Sequence, residues 1–275
     1  MTQPIIFPGL NLSVTIDPVA LRLMGFEIRW YGIIIAFGIG LGLFLALRHA
    51  HRFGFQENDI LDFLLIAIPF AVVGARLYYV AFMWDQYKDN PISILYFHQG
   101  GLAIYGAVIV SIIVAFLYTG KRKLNRMAFM DFLIPYLALG QAIGRWGNFV
   151  NQEAHGMTTD VLWRMDIYVA EAQKRLSVHP TFLYESLGNF ALFFLLIWFR
   201  KHKKKNGEVF LLYLSLYGLL RCIVEGMRTD SLYWGQFRVS QLLAGILFIT
   251  MGIAFLVLRI SGKHKTTSDS LSTKV

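Results

Sequence analysis

Charged residues and cysteine are both scarce in this chain. Asp, Glu, Lys and Arg make up 16% of the 275 residues, whereas soluble globular domains carry about 25%. Together with a hydrophobic content of 56%, this shortage excludes an ordinary soluble domain and predicts a polytopic membrane protein. Cys222 is the only cysteine, which excludes an internal disulfide framework and a cysteine-based metal site.

Other familiar patterns are also missing. The sequence has no HExxH motif and no clustered His/Asp pattern, so we expect neither a metal ion nor another cofactor. The first 18 residues lack a basic stretch before an apolar core, so we expect no cleavable signal peptide. The net charge of +9 does not indicate nucleic-acid binding, because the basic residues lie in short runs between apolar segments.

Seven apolar segments approach the length that a helix needs to cross about 30 Å of hydrocarbon. The predicted spans are Trp30–Leu47, Ile60–Phe82, Gly101–Tyr118, Phe129–Val150, Thr181–Phe199, Val209–Val224 and Val239–Leu258. Pro69 and Pro135 lie inside the second and fourth spans, which we expect to be broken or tilted. Asp131 is interpreted as the cap of the fourth helix and Asp62 as a first-turn residue of the second.

Basic residues follow every second span and indicate the orientation. They are Arg48, His49, His51 and Arg52; Lys121, Arg122, Lys123 and Arg126; Arg200, Lys201, Lys203, Lys204 and Lys205; and Arg259, Lys263 and Lys265. The positive-inside rule places these connections in the cytoplasm. The predicted fold is therefore an all-α polytopic membrane protein with seven transmembrane helices, the N-terminus outside, the C-terminus cytoplasmic, and a small extracytoplasmic cap, residues 152–180, between the fourth and fifth spans.

The segment Gly144–Gly156, GRWGNFVNQEAHG, concentrates polar residues at the end of the fourth span. One helical face would carry Gly144, Gly147, Asn148 and Asn151. Gly140 and Gly144 form a GxxxG pair, so close packing of two membrane helices is an alternative explanation for the glycines. That explanation does not extend to Arg145 and Glu153, which are costly near lipid unless they have partners.

With this topology, polar groups from six spans share one level in the outer half of the bilayer. In the sixth span Tyr217, Arg221, Glu225 and Arg228 form one polar stripe. An intrahelical Arg221–Glu225 ion pair would neutralise itself, but two arginines and one carboxylate leave a positive charge over. We therefore expect an anion to complete the site. A phospholipid fits, because arginine binds phosphate through a planar fork and a lipid can enter sideways.

GRWGNFVNQEAHG resembles the signature of the bacterial prolipoprotein diacylglyceryl transferases, G-R-x-G-N-F-x-N-x-E-x-x-G. Four other segments are similar to that family: WYG at Trp30–Gly32, GGLAIYGA at Gly100–Ala107, HPTFLYE at His179–Glu185 and YGLLRCIVEGMR at Tyr217–Arg228. The resemblance implies a seven-helix enzyme of the bacterial cell membrane. Such an enzyme moves the diacylglyceryl group of phosphatidylglycerol onto the lipobox cysteine of a prolipoprotein signal peptide, forming a thioether and releasing glycerol phosphate.

The apolar segments and the Ser/Thr-rich tail predict the domain limits, and the polar residues of the outer level together with the resemblance predict the residue roles. Residues 1–262 would form one transmembrane catalytic domain, and residues 263–275 a disordered cytoplasmic tail. The predicted catalytic residues are Arg145, Arg221, Tyr105 and Glu153. The predicted substrate-binding residues are Arg145, Asn148, Asn151, Gly156, Tyr31, Tyr217, Glu225, Arg228 and Arg76. Many family members have histidine where this chain has Tyr105.

The base that removes the thiol proton is left open by the sequence. A tyrosine pKa near about 10 makes Tyr105 a poor base unless arginines lower it. His155, His179 and Glu153 are alternatives, and Glu153 could equally pair with Arg145. The cap, residues 152–180, is predicted to receive the peptide. The alternative function is a carrier or flippase for an anionic lipid or organic anion, which normally has matching repeats that are not apparent here.

Overall fold

The computed structural model describes residues 3–23, 25–96, 100–169, 172–229 and 233–261. The chain divides into two compact units: unit 1 comprises Met1–Leu45 and Met130–Val275, and unit 2 comprises Ala46–Phe129. The predicted cytoplasmic tail, residues 263–275, lies outside the described residues. The single transmembrane domain stays a prediction.

Seven long α-helices occur in the described residues, one for each predicted span. They are α1 (Trp30–Ala50), α2 (Glu57–Phe82), α3 (Ile104–Lys121), α4 (Arg126–Asn151), α5 (Thr181–Phe199), α6 (Glu208–Glu225) and α7 (Val239–Ile260). Both α2 and α4 continue through their prolines, Pro69 and Pro135, so the break that we allowed for in each helix does not occur.

Six helices in the described part of the chain are long and apolar enough to cross a membrane. They are α1 with the turn that follows it (Trp30–Phe53), α2, α3, α4, α5 and α7. Helix α6 is not among them, because its 18 residues include Glu208, Arg221 and Glu225. The chain is thus a multi-pass membrane protein, and the sixth predicted span, which corresponds to α6, stays a prediction.

Eight short β-strands, which the all-α prediction missed, occur within the described residues. They are β1 (Ile5–Phe7), β2 (Leu12–Val14), β3 (Val19–Leu23), β4 (Phe26–Arg29), β5 (Met165–Val169), β6 (Lys174–Val178), β7 (Tyr233–Trp234) and β8 (Phe237–Arg238). An antiparallel sheet has the order β2-β1-β5-β6, while β3–β4 and β7–β8 are separate hairpins. The strands are short and lie outside the spans, where β-branched and aromatic residues favour extended backbone.

The four-stranded sheet packs against the helix ends that carry the polar signature. Ile5 of β1 and Ile167 of β5 are fully buried with Phe182 of α5 in one hydrophobic cluster. Phe149 of α4 packs against Phe182 with ring centroids 4.8 Å apart and the ring planes tilted by 31°. The sheet therefore joins residues 165–178 to the N-terminal strands and rests on the last turns of α4 and the first turn of α5, while an extracytoplasmic cap stays a prediction.

Asp131 caps a different helix from the one that we predicted. Helix α4 begins five residues earlier, where Asn125 Oδ1 accepts a hydrogen bond from the N–H of Ala128. Asp131 is fully buried and accepts from the backbone N–H groups of Gly207 (2.8 Å) and Phe210 (2.9 Å). These are orphan donors at the start of α6, so Asp131 joins α4 to α6.

Unit 2 contains the helix pair α2 and α3. Helix α2 begins at Glu57 with a reciprocal cap between Gln56 and Asp59. Asp62 lies one turn further along than predicted and forms an ion pair with Arg122 beyond the end of α3. A methyl group on Gly74 would lie 2.8 Å from the carbonyl oxygen of Gly106, so the backbones of α2 and α3 approach closely there.

Candidate functional site

Three arginines of unit 1 converge on one glutamate. Nη2 of Arg145 lies 2.5 Å from Oε2 of Glu185. Nη1 of Arg221 lies 3.0 Å and 3.1 Å from the two carboxylate oxygens of Glu185. Nη2 of Arg221 lies 2.6 Å from Oε2 of Glu225, and Nη1 of Arg228 lies 3.5 Å from Oε1 of Glu185. We call these five residues the arginine–glutamate cluster.

The ends of three helices bring the cluster together. Arg145 lies near the end of α4, Glu185 in the second turn of α5, and Arg221 near the end of α6. Ionisable residues in apolar helices are costly without partners, so their side chains turn inward and pair. The predicted intrahelical pair between Arg221 and Glu225 is present, but Arg221 is also held by a second helix through Glu185.

The cluster is electropositive and accessible. Within these five residues three arginines meet two carboxylates, so their formal charges sum to +1. The side chains of Glu185 and Glu225 are 2% and 3% exposed, whereas those of Arg145 and Arg221 are 23% and 22% exposed. The buried carboxylates therefore hold the guanidinium groups in position, while about a fifth of each of these two arginine side chains stays exposed. This geometry suits a bound anion.

The signature residues after Arg145 form a second layer of hydrogen bonds. Nη1 of Arg145 donates to Oδ1 of Asn148 at 3.3 Å, and Nδ2 of Asn148 donates to Oε1 of Glu153 at 2.8 Å. Nδ2 of Asn151 contacts the same Glu153 oxygen at 3.4 Å. Helix α4 ends at Asn151, and the left-handed backbone of Gln152 (φ 55°) turns the chain so that Glu153 points back. Glu153 is thus linked to Arg145 through Asn148, and the carboxylate that directly contacts Arg145 is Glu185.

Gly156 lies where the α4–α5 connection crosses the chain after α6. Its N–H donates to the carbonyl oxygen of His179 at 3.0 Å, and the N–H of Met157 donates to that of Met227 at 2.7 Å. Gly156 also forms an isolated β-bridge with Arg228. These backbone bonds fix the position of Arg228 relative to the end of α4.

Replacing Gly156 with alanine is expected to lower both thermal stability and activity. A methyl group there would lie 2.7 Å from Cβ of His179 and 3.1 Å from the carbonyl oxygen of Met227, so the crossing must open and Arg228 must move. Gly144→Ala is the matched control, since a methyl group there meets no atom of the described residues within 4 Å. Thermal unfolding of both variants tests this: equal melting temperatures would contradict the packing argument.

The two predicted site tyrosines of unit 1 have different ring contacts. The ring of Tyr31 packs on Gly147, where a methyl group would come within 2.5 Å of Cδ2. Tyr217, one turn before Arg221, stacks on Tyr213 with centroids 5.5 Å apart. The open space beside Gly144, in contrast, does not support close helix packing as the reason for that glycine.

Arg76 belongs to unit 2 and has different partners from those expected. It is buried, and its Nε donates to the carbonyl oxygen of Ile94 at 2.8 Å. Its Nη1 donates to Gly100 (2.6 Å) and Gly101 (3.0 Å), and its Nη2 to Ser93 (2.8 Å). These bonds to backbone carbonyl groups indicate that Arg76 holds the loop before α3, and a lipid contact of Arg76 stays a prediction.

The candidate bases have separate surroundings. Tyr105 lies in the first turn of α3 in unit 2, half exposed, with its ring centroid 6.1 Å from that of Tyr78. Nδ1 of His179 is 3.1 Å from the hydroxyl oxygen of Tyr184. Nδ1 of His155 is 3.1 Å from the carbonyl oxygen of Gly156. Tyr105 therefore has an aromatic neighbour, and each histidine has a polar one.

Glu185 is the residue that sequence reasoning missed. It ends the segment HPTFLYE, which contains none of the predicted catalytic or substrate-binding residues. A signal was present, since Glu185 is the only charged residue of Thr181–Phe199, and an isolated carboxylate in an apolar span marks a functional site by default. Its partners could not be assigned, because they come from two other helices.

Comparison with known proteins identifies the family. Residues 18–258 match the sequence profile of the prolipoprotein diacylglyceryl transferases. The phosphatidylglycerol–prolipoprotein diacylglyceryl transferase of Finegoldia magna is 47% identical over 250 residues, which cover 90% of this chain and 97% of that protein. The proteins of the same name from Streptococcus suis and Clostridioides difficile are 45% and 42% identical, over 91% and 92% of this chain and 95% and 100% of their own lengths. The chain belongs to this family.

The arginine–glutamate cluster thus lies in a diacylglyceryl transferase, and all its residues fall within the matched range. The resemblance noted from the sequence is confirmed. Membership makes the chain a transferase of lipoprotein biosynthesis. Family membership does not assign roles to individual residues, which are proposed below from the geometry of the site.

Proposed function

We infer that this chain transfers the diacylglyceryl group of phosphatidylglycerol to a prolipoprotein, as the names of its relatives state for those proteins. The observation that carries the site assignment is the convergence of Arg145, Arg221 and Arg228 on Glu185. Phosphatidylglycerol is an anionic lipid, and its phosphate suits a cluster with one excess positive charge. Guanidinium groups bind phosphate oxygens bidentately, which adds geometric specificity to the attraction.

The proposed acceptor is the thiol of the lipobox cysteine in the prolipoprotein signal peptide. Its thiolate attacks the glyceryl carbon, a C–S bond forms, and the C–O bond to phosphate breaks. The electron pair of that bond leaves with glycerol phosphate, and the thiol proton passes to a base. A free thiol has a pKa of about 8.5 and is largely protonated at neutral pH. The nearby arginines favour the thiolate and stabilise the charge that gathers on the departing phosphate.

Each element of the site has a proposed role. Arg145 and Arg221 bind the phosphate with their exposed faces, and Arg228 adds to the positive field. Glu185 and Glu225 hold the guanidinium groups in position. The residues proposed to line the substrate site around them are Asn148, Asn151, Glu153, Gly156, Tyr31 and Tyr217.

The proposed topology has seven spans in the bacterial cell membrane, with α6 crossing it as the sixth. The arginine–glutamate cluster lies at the C-terminal end of α6. Glu208 is the first residue of the same helix, and a helix of 18 residues places it about 25 Å from Glu225. Glu208 pairs with Arg259, and Lys203 pairs with Asp131 near that opposite end. Because basic connections favour the cytoplasmic side, the cluster is proposed to face the outer leaflet, with the N-terminus outside and the β5–β6 cap beside the entering peptide.

If Tyr105 takes part in proton transfer, Tyr105→Phe is expected to lower the transfer rate and change its pH dependence. The phenylalanine keeps the ring beside Tyr78 and removes only the hydroxyl group. Tyr78→Phe is the matched control, since it alters the partner ring in the same way. Rate–pH profiles with a lipobox peptide test this, and a Tyr105→Phe profile that overlays the wild-type profile would remove Tyr105 from the catalytic residues.

One incubation distinguishes the transferase from the alternative, a carrier for an anionic lipid. Purified protein is mixed with phosphatidylglycerol vesicles and a peptide that contains a lipobox cysteine. The transferase predicts a mass gain of one diacylglyceryl group on that cysteine, together with released glycerol phosphate. Movement of lipid between leaflets without a mass gain would contradict the proposed function. A peptide with serine in place of the cysteine is the control.

A further inference from the structure

The β3–β4 hairpin has two chemically opposite faces. Its register pairs Leu21 with Ile28 and Leu23 with Phe26, so these four apolar side chains share one face. All four are strongly exposed, by 52%, 42%, 55% and 77% respectively. Four large apolar side chains on so small an element form a patch of the kind that marks an interaction surface.

The other face of the hairpin carries a network of charges. Arg22 pairs across the strands with Glu27 at 3.5 Å and with Asp17 at 3.3 Å. Arg29 lies 3.8 Å from the same glutamate. Because these side chains are exposed and their opposite charges pair with one another, this face is suited to contact with water. With one apolar and one charged face, the hairpin would take a single orientation at a boundary between lipid and water.

The hairpin is joined directly to a membrane span. Strand β4 ends at Arg29, and α1 begins at Trp30, the next residue. The N–H of Trp30 donates to the carbonyl oxygen of Pro18 at 3.0 Å, which ties the base of the hairpin to the start of the helix. Strands of five residues reach about 16 Å, so the apolar face stays close to the lipid surface. Trp30 is itself exposed, as tryptophan commonly is at that level.

We propose that the β3–β4 hairpin is a membrane-interface anchor whose apolar face lies in the lipid head-group and acyl boundary beside the start of α1. An isolated two-stranded hairpin is only marginally stable in water and needs a surface to pack against. The described residues leave its apolar face exposed. Because α1 follows β4 directly, the lipid around the start of α1 is adjacent to that face. A peptide substrate would cover that face only during turnover. The anchor also sets the depth of Trp30 and of its neighbour Tyr31, which packs on Gly147.

Spin labels on the two faces test this proposal in a Cys222→Ala background. The full-length protein is reconstituted in vesicles of phosphatidylglycerol and phosphatidylcholine. Phe26→Cys places a label on the apolar face, and Glu27→Cys places the matched control on the charged face of the neighbouring residue. Relaxation by oxygen, which concentrates in lipid, is compared with relaxation by a water-soluble nickel chelate. At position 26 oxygen is expected to be several-fold more effective than nickel, with the reverse at position 27.

Leu21→Cys and Arg22→Cys repeat the comparison on β3 in case a β4 variant fails to fold. Equal nickel accessibility on the two faces would overturn the anchor. The label at position 26 could also be protected from the nickel chelate in lipid-free detergent, and only when a lipobox peptide is added. That result would instead assign the apolar face to the peptide. Protection that depends on the protein-to-lipid ratio would assign it to a second copy of the chain. Either result would replace the lipid proposal.

Discussion

Replacing Arg221 with lysine is expected to reduce diacylglyceryl transfer by about 10²- to 10³-fold, the usual effect of losing one donor to a developing oxyanion. Lysine keeps the charge, but it cannot contact both oxygens of Glu185, reach Glu225 and present a flat donor pair to phosphate at once. The rate of mass gain on a lipobox peptide measures the effect.

Arg259→Lys is the matched control for that substitution. Arg259 also pairs with a buried glutamate of α6, since its Nη1 lies 3.0 Å from Oε2 of Glu208. That pair is at the opposite end of the helix from Arg221, so the transfer rate of Arg259→Lys is expected to stay within a few-fold of wild type. Similar losses in the two variants would mean that arginine–glutamate pairs support only the fold.

Replacing Glu185 with glutamine is expected to affect stability and catalysis together. The isosteric amide removes the one charge that all three arginines share. Breaking a buried ion pair by removing one partner costs about 3–5 kcal/mol, because the remaining charge is left uncompensated. The guanidinium groups then lose their fixed orientation, so kcat is expected to fall about 100-fold, in the range for one lost electrostatic contact.

The Michaelis constant separates this role from a structural one. With Glu185 neutral, the excess positive charge of the cluster rises from one to two, so KM for phosphatidylglycerol is expected to stay level or fall while kcat drops. Glu208→Gln is the control, because Glu208 is equally buried and pairs with Arg259. That variant is expected to lose stability but keep its kcat. A rise in KM with kcat unchanged in Glu185→Gln would contradict the positioning role.

The helices were predictable because the physics behind them is local. A span needs about 20 apolar residues in succession, and the seven predicted segments correspond to the seven helices. Errors occurred at the ends, where polar residues extend the helices beyond the apolar segments. Helix α2 begins at Glu57 and α4 at Arg126, three residues before each predicted span. The caps that set these starts are side-chain bonds that hydropathy does not detect.

The missed features depend on contacts between residues that are far apart in sequence. Asp131 reads as a cap for its own helix, yet its oxygens reach Gly207. Strand β1 pairs with β5 although four long helices separate them in the sequence. For Arg145 and Arg221 the residue type was sufficient to predict a shared anion site. The partner that brings them together, Glu185, could be recognised only once the helices were packed.

The central claim is that the arginine–glutamate cluster binds the phosphate of phosphatidylglycerol. Native mass spectrometry of the protein with an equimolar mixture of phosphatidylglycerol and diacylglycerol, which lacks the phosphate, tests this most directly. Wild type is expected to retain phosphatidylglycerol preferentially, and the double variant Arg145→Gln/Arg221→Gln is expected to lose that preference while still binding diacylglycerol. An unchanged preference for phosphatidylglycerol in the folded double variant would contradict the account.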